Sequence, residues 1–250
     1  MSADARGLHD RLVSTGKGAL VVVPTYNERG TLVELVRRVN AVLPEAHLLI
    51  VDDSSPDGTG ELAAELATSD SRVQVLQRHA KLGLGTAYVA GFRRALVGDA
   101  DAVVEMDADL SHDPADLPRL LRALASGADL AVGSRDVPGG GVVGWGPGRH
   151  LLSKGGSLYA RTVLGVPTRD LTTGFKAWTR RALEVVDLGR IRSNGYAFQV
   201  ETTYRALRAG LRVEEVPIVF SDRRVGQSKM SRGVFAEAMW RVPWMRLSTR

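Results

Sequence analysis

Cysteine is absent from the 250 residues. Its absence excludes disulfides, thiolate metal sites and a cysteine nucleophile, and is compatible with a cytosolic setting. Long apolar runs are missing as well. The longest, such as Ala19 to Val23, fall far short of the about 20 apolar residues that a membrane-spanning helix needs. Met1 to Lys17 is polar and mixed in charge, with no apolar core of a signal peptide, so a flexible leader is expected over residues 1–17. Nothing resembles an RNA-binding signature or a helix-turn-helix, which leaves nucleic acid as the least favoured partner.

What is present suits one α/β domain with a sizeable core, at 44% hydrophobic and 24% charged residues. A net charge of +5 fits a phosphorylated substrate, an anionic membrane or simply a basic surface. Short apolar, β-branched runs alternate with helical spacing. Strands are expected at Ala19 to Val23, Leu48 to Val51, Val73 to Leu76, Ala102 to Met106 and Leu130 to Gly133. Helices are expected from Thr31 to Val42, from about Gly60, from the Lys81 loop to about Val97, and after the acidic cap Asp113-Pro114. This alternation predicts a parallel, doubly wound nucleotide-binding half. Beyond it come a glycine-rich mobile loop at Gly139 to Gly148, an amphipathic helix at His150 to Val163, and a strand-like Asp170 to Trp178. A helix at Ala197 to Ala209 and a strand at Val213 to Phe220 complete the pattern.

The chemistry gathers at strand ends, where open α/β sheets bind ligands. Asp107 and Asp109 flank Ala108 after the fourth strand. If that segment is extended, both carboxylates share one face and Ala108 points away. Two hard oxygen ligands suit Mg²⁺ or Mn²⁺ completed by substrate phosphates; the same acids could instead cap a turn. Tyr26 and Glu28, after the first strand, suit a base or ribose, or simply a helix entry. Asp52-Asp53 ends the second strand, where a carboxylate can bond the nucleoside, and Asp57 reads as a turn cap. Lys81-Leu-Gly-Leu-Gly lacks the third glycine of a dinucleotide fingerprint and reads as a tight strand-to-helix turn. Arg135, Arg149, Ser153, Arg223, Ser228 and Lys229 form the cationic and hydroxyl side, with Arg149 and Ser153 four apart on one helical face. His112 reads as a capping or packing residue.

Taken together, Val-Pro-Thr-Tyr-Asn-Glu, Val-Asp-Asp-Ser-Ser-Pro-Asp-Gly-Thr, Met-Asp-Ala-Asp-Leu-Ser-His-Asp-Pro, Gly-Ser-Arg, Asp-Leu-Thr-Thr-Gly-Phe-Lys and Asp-Arg-Arg-Val-Gly-Gln-Ser-Lys resemble the family 2 glycosyltransferases of GT-A fold. Within them, the motifs are similar to the polyprenol (dolichol) phosphate mannose synthases. The likeness covers residues 18–232, and residues 233–250 form an amphipathic C-terminal segment. It implies a GT-A, Rossmann-like fold with a mostly parallel sheet and an acceptor-side C-terminal elaboration. It also implies nucleotide contacts from Pro24, Tyr26, Glu28, Val51 and Asp53. Metal and diphosphate would lie at Asp107, Ala108 and Asp109, with the metal on the two acids. Donor phosphate or sugar would meet Arg135, Arg223 and Lys229, with Asp107, Asp109 and Arg135 carrying catalysis. Lipid phosphate would face Arg149 and Ser153. Some members have a glutamine as a further metal ligand where this sequence has Ser111. The implied reaction moves mannose from GDP-mannose to polyprenyl phosphate; UDP-glucose as donor, or a non-catalytic nucleotide-binding subunit, are the alternatives. Trp, Arg and Lys along Val142 to Leu164 and Val234 to Leu247 suggest peripheral contact with the cytoplasmic membrane face, with a membrane-embedded anchoring partner as a further expectation. Pro243 is expected to interrupt any helix in the second stretch.

Overall fold

A computed structural model describes residues 10–222 and 240–247. A seven-stranded sheet forms its centre, built from β1 (Ala19–Thr25), β2 (His47–Asp52), β3 (Val73–Gln77), β4 (Ala102–Glu105), β5 (Leu130–Ser134), β7 (Lys176–Thr179) and β8 (Val213–Pro217). The order is β3-β2-β1-β4-β7-β5-β8, and β7 alone runs antiparallel to its neighbours. A second, two-stranded parallel sheet pairs β6 (Gly141–Val143) with β9 (Val219–Ser221).

Helices cover both faces of the large sheet, and the alternation of strand residues sorts the core into two layers. Val21, Val23, Leu48, Ile50 and Val104 face α1 (residues 10–15), α2 (Arg29–Val42), α3 (Thr59–Ser69) and α5 (Leu117–Ala125). Leu20, Val22, Leu49, Val51 and Val103 face α4 (Leu84–Val97), α7 (Arg180–Val186) and α8 (Gly195–Arg208). α6 (Pro147–Leu164) packs outside this sandwich. Its Ala160 and Leu164 share a cluster with Ala197 and Val200 of α8 and with Val242 and Met245 of a C-terminal helix, α9 (residues 240–247).

Several expectations change in detail. Residues 10–15, inside the expected leader, are helical because Leu12 buries against the core and the Thr15 carbonyl accepts from the Glu45 amide at 2.7 Å. The expected glycine loop holds β6, and α6 starts at Pro147 within it. Asp170 to Trp178 is a strand only from Lys176, since Asp170 and Thr173 turn their own following amides inward. The single strand expected at Val213 to Phe220 is two. Ile218 donates to the Ser134 carbonyl at 3.0 Å and accepts from Gly141 at 3.0 Å, so the chain passes from one sheet to the other there. Pro243 sits within α9, where burial of Val242 and Met245 offsets its missing donor.

Candidate active site

The carboxyl ends of the parallel strands β1, β2 and β4 lie on one edge, with Thr25 in register with Asp52. Because β7 is antiparallel, its start reaches the same edge, and Lys176 pairs in register with Glu105. The segment 170–175 is thereby delivered beside the end of β4.

At the end of β2 Asp52 is fully buried, and its oxygens accept from Thr25 Oγ1 (2.8 Å), Ser55 Oγ (2.5 Å), Ser55 N (3.0 Å) and Gln77 Nε2 (2.9 Å). It fastens two strand ends together. Asp53 is 5% exposed, faces Arg78 Nη1 at 3.2 Å and accepts from the Leu82 amide at 3.1 Å, which ties the Lys81 loop to this edge. Lys81 lies 3.9 Å over the Tyr26 ring. Glu28 enters α2 with its amide bonded to Thr59 Oγ1. The side chains of Pro24 and Val51 are buried, so only their main chain can face a ligand. Asp57 caps as expected, accepting from Thr59 N, Thr59 Oγ1 and Arg29 N.

β4 ends at Glu105, and the chain turns over residues 108–110. Asp109 accepts from the Ser111 amide at 3.0 Å and Leu110 takes φ +60°, a side-chain-closed turn that outcompetes continued strand. The shared face expected from strand alternation is therefore replaced by a turn. Ala108 does point into the core. Asp107 is half-buried and accepts from the Tyr88 hydroxyl at 3.1 Å; Asp109 is 3% exposed. The Ser111 hydroxyl beside them is buried with no hydrogen-bond partner. A β-carbon on Gly174 would stand 3.4 Å from both Asp107 oxygens, so glycine keeps that flank open. Among the described residues no group of three or more His, Cys, Asp or Glu could hold a metal. Two carboxylates with an orphaned hydroxyl do fit a divalent ion whose remaining ligands come from a substrate diphosphate. His112 packs as expected, stacked on Phe175 at 4.9 Å and edge-on to Phe220 at 5.3 Å.

Under this turn lies a buried charge network. Trp178 Nε1 donates to Glu105 Oε1 at 2.6 Å, and Lys176 Nζ donates to the Gln199 carbonyl (2.9 Å) and Oε1 (2.6 Å). Burial pushes the Glu105 carboxyl up, against the pull of Lys176, and pushes Lys176 down to about 8, against the pull of Glu105.

Arg135 is held by a carboxylate. It is 8% exposed, and its Nε and Nη2 form a fork on Asp170 at 2.7 Å each, with its amide on the same carboxylate at 3.1 Å and Nη2 on Thr172 Oγ1 at 2.8 Å. Burial alone would raise the Asp170 carboxyl; Arg135 more than offsets it and holds Asp170 below the usual range. The arginine thus holds the 170–174 segment, and with it Gly174 against Asp107. Arg149 is paired too: Nη1 donates to Asp222 at 2.7 Å and its guanidinium lies 4.4 Å from the Trp145 ring. Ser153 is half-buried on the same helix. The Ser221 amide donates to the Ser111 carbonyl, which connects the Asp222 end of β9 to the acidic turn. Arg223, Ser228 and Lys229 lie outside the described residues. Sequence reasoning assigned no site role to Tyr88, Trp145, Asp170 or Asp222; Asp170 and Asp222 left a signal as the first residues of the Asp-Leu-Thr-Thr-Gly-Phe-Lys and Asp-Arg-Arg-Val-Gly-Gln-Ser-Lys motifs, and Trp145 as part of the Val142 to Leu164 stretch.

Residues 20–186 match the family model described as Glycosyl transferase family 2. The chain is 51% identical over 224 residues to a polyprenol monophosphomannose synthase of Mycolicibacterium smegmatis, covering 89% of this chain and 84% of that one. It is 48% identical over 231 residues to an undecaprenyl-phosphate mannosyltransferase of Micrococcus luteus, covering 92% and 95%. Among solved structures, glucosyl-3-phosphoglycerate synthase of Mycobacterium tuberculosis in complex with phosphoglyceric acid aligns with a TM-score of 0.68 at 22% identity, over 95% of this chain and 84% of that one. The same enzyme with Mn²⁺, UDP-glucose and phosphoglyceric acid aligns with a TM-score of 0.65 at 21% identity, over 95% and 83%. These structures share the GT-A fold.

Proposed function

The chain belongs to glycosyl transferase family 2, and from that premise we propose that it moves mannose from GDP-mannose to a polyprenyl phosphate, giving polyprenyl-phosphate-mannose and GDP. The observation that carries this reading most is the pair of relatives at 51% and 48% identity over nine-tenths of the chain, whose names join a mannosyl product to a polyprenol phosphate. The acidic turn at the strand edge supplies the matching chemistry.

In this mechanism an oxygen of the lipid phosphate forms the bond to the anomeric carbon from the face opposite GDP. The bond from that carbon to the diphosphate breaks, GDP keeps the electron pair, and the sugar inverts. A phosphate monoester with a second pKa of about 6 is largely ionised at neutral pH, so no general base is needed. Asp107 and Asp109 hold Mg²⁺ or Mn²⁺, with the Ser111 hydroxyl beside them. When bound, the ion supplies positive charge toward the departing diphosphate. Tyr26, Glu28 and Asp53, with the main chain of Pro24, Val51 and Ala108, orient the nucleotide. Arg149 and Ser153 face the acceptor phosphate, for which Arg149 exchanges Asp222. Arg223 and Lys229 serve the donor phosphates. Arg135 acts through Asp170 by holding the 170–174 segment.

No helix among the described residues is long and apolar enough to cross a membrane. The acceptor is reached from the cytoplasmic face by peripheral contact. Exposed Leu151, Leu158, Trp240, Trp244 and Leu247 beside Lys154, Arg241 and Arg246 support this, and a membrane-embedded partner can add to the attachment.

The test is transfer by the purified chain to polyprenyl phosphate with Mg²⁺ or Mn²⁺, comparing GDP-mannose with UDP-glucose. Lipid-linked mannose formed from GDP-mannose and suppressed by EDTA is expected. Product from UDP-glucose in preference, or from neither donor, overturns the reading.

A further inference from the structure

Tyr88 belongs to no part of the mechanism so far, yet its hydroxyl touches Asp107. The phenol is fully buried and donates to Asp107 Oδ1 at 3.1 Å. Its ring is fixed on two sides, parallel to Phe198 at 5.8 Å with a 6° tilt and stacked on Phe92 at 5.9 Å. A side chain so held has one direction in which to donate.

The otherwise unexplained Lys81-Leu-Gly-Leu-Gly turn accounts for how Tyr88 arrives there. A β-carbon on Gly85 would meet the Phe198 side chain at 2.9 Å, and one on Gly91 would clash with Val22. Both glycines let α4 sit closer to α8 and to β1 than any larger residue allows. Gly83, at φ +100°, starts the helix. Asn194 clamps the turn from the head of α8, accepting from the Gly85 amide at 2.9 Å and donating to the Leu82 carbonyl at 3.2 Å. One helical turn after Gly85, Tyr88 reaches the end of β4.

We propose that Tyr88 is a positioning residue for the metal site: its hydroxyl holds one Asp107 oxygen, so that the carboxylate presents the other in a single orientation, and the glycine turn exists to bring it there. This rests on the reading of Asp107 and Asp109 as metal ligands. Hydrogen-bond partners behind metal ligands orient them, and losing one typically costs about 10- to 100-fold in metal affinity.

The probe is Mn²⁺ binding to the full chain in the presence of GDP, followed by the electron paramagnetic signal of free Mn²⁺. Tyr88→Phe removes the hydroxyl and keeps the stacked ring. It should weaken Mn²⁺ binding about tenfold or more, while GDP affinity in EDTA stays at the wild-type value. Turnover should need correspondingly more Mn²⁺ to reach half its ceiling, with the ceiling much less affected. Gly85→Ala, which presses α4 off Phe198, should shift Mn²⁺ binding in the same direction. Wild-type Mn²⁺ affinity in Tyr88→Phe overturns the proposal and leaves the metal reading intact. Absence of any Mn²⁺ binding by the wild-type chain with GDP overturns both.

Discussion

At the proposed donor edge polar groups are buried and committed: Asp52, Asp53 and Asp109 are 0%, 5% and 3% exposed, and each accepts a hydrogen bond from a backbone amide, Asp52 and Asp109 from their own turns and Asp53 from the Lys81 loop. On α6 and α9 the apolar groups stand outside, with Leu151 77% and Trp240 84% exposed. A lone exposed leucine needs no explanation, but leucines and tryptophans gathered on two mutually packed helices with basic neighbours do. One region is organised before substrate arrives, as stabilisation of developing charge requires. The other keeps apolar side chains exposed, as the proposed peripheral membrane contact requires. The difference separates the chemistry from the delivery of a lipid acceptor, and each substitution below asks whether the two can be changed apart.

The largest effect is expected at the donor edge. Asp109→Asn keeps an oxygen that can accept from the Ser111 amide but removes the charge, which suits a buried turn better than truncation to alanine. Turnover should fall about 100-fold or more, with the thermal midpoint in EDTA unchanged and vesicle binding intact. Near-normal turnover would remove the metal from the account.

Next comes the charge network beneath that edge. Glu105→Ala strips the buried Lys176 of its counter-charge and Trp178 of its acceptor. Breaking one partner of a buried pair costs about 3–5 kcal/mol, and a chain of this size loses about 2–4 °C of thermal midpoint per kcal/mol. Calorimetric unfolding should show a drop of that order. The network also sets a pH dependence. Lys176 falls from an ordinary 10.5 to about 8 on folding, so between these values the unfolded chain holds a proton that the folded chain lacks. The unfolding free energy contributed by this group therefore rises with pH from about 8 to 10.5. Denaturant titrations of Lys176→Met should lack that rise relative to wild type; an equal slope would contradict the shift.

Smaller changes are expected on the acceptor face. Leu151→Ser with Trp244→Ser removes apolar area worth about 1.5–3 kcal/mol per residue if buried in lipid. Co-sedimentation with anionic vesicles should fall by at least about tenfold, and wild-type binding should itself weaken with salt. Undiminished binding by the double variant would clear both helices. The smallest effect belongs to Arg149→Ala. Its pair with Asp222 is part-exposed, so thermal stability should move by less than about 1 kcal/mol. The KM for polyprenyl phosphate should rise about fivefold, the size expected of one such exposed contact, with GDP affinity by calorimetry unchanged. An equal fall in GDP affinity would assign Arg149 to the donor side.

What the sequence made legible follows the range over which each feature is determined. The strands β1 to β5, four to seven residues long, were readable because short runs rich in β-branched and apolar residues have few other fates, and their ends placed Asp53, Asp107 and Asp109 on one edge. Asp57 and Asp113 were readable as caps because each bonds an amide two residues on. Arg135 was not, since its partner Asp170 is 35 residues away and an arginine after a strand looks the same whether it meets phosphate or carboxylate. Tyr88 was hidden for a like reason, nineteen residues from Asp107. The β6–β9 pair escaped because three-residue strands carry no periodicity, and one of them lies among glycines.

The separation of chemistry from delivery is tested most directly by one comparison of transfer rates. The Leu151→Ser, Trp244→Ser double variant and the wild-type chain are each given GDP-mannose with either a short, water-soluble prenyl phosphate or a long-chain polyprenyl phosphate in anionic vesicles. The account predicts equal rates on the soluble acceptor and a rate on vesicles that falls in the variant about as far as its vesicle binding does. Equal loss on both acceptors would contradict it, because these side chains would then belong to the reaction centre itself.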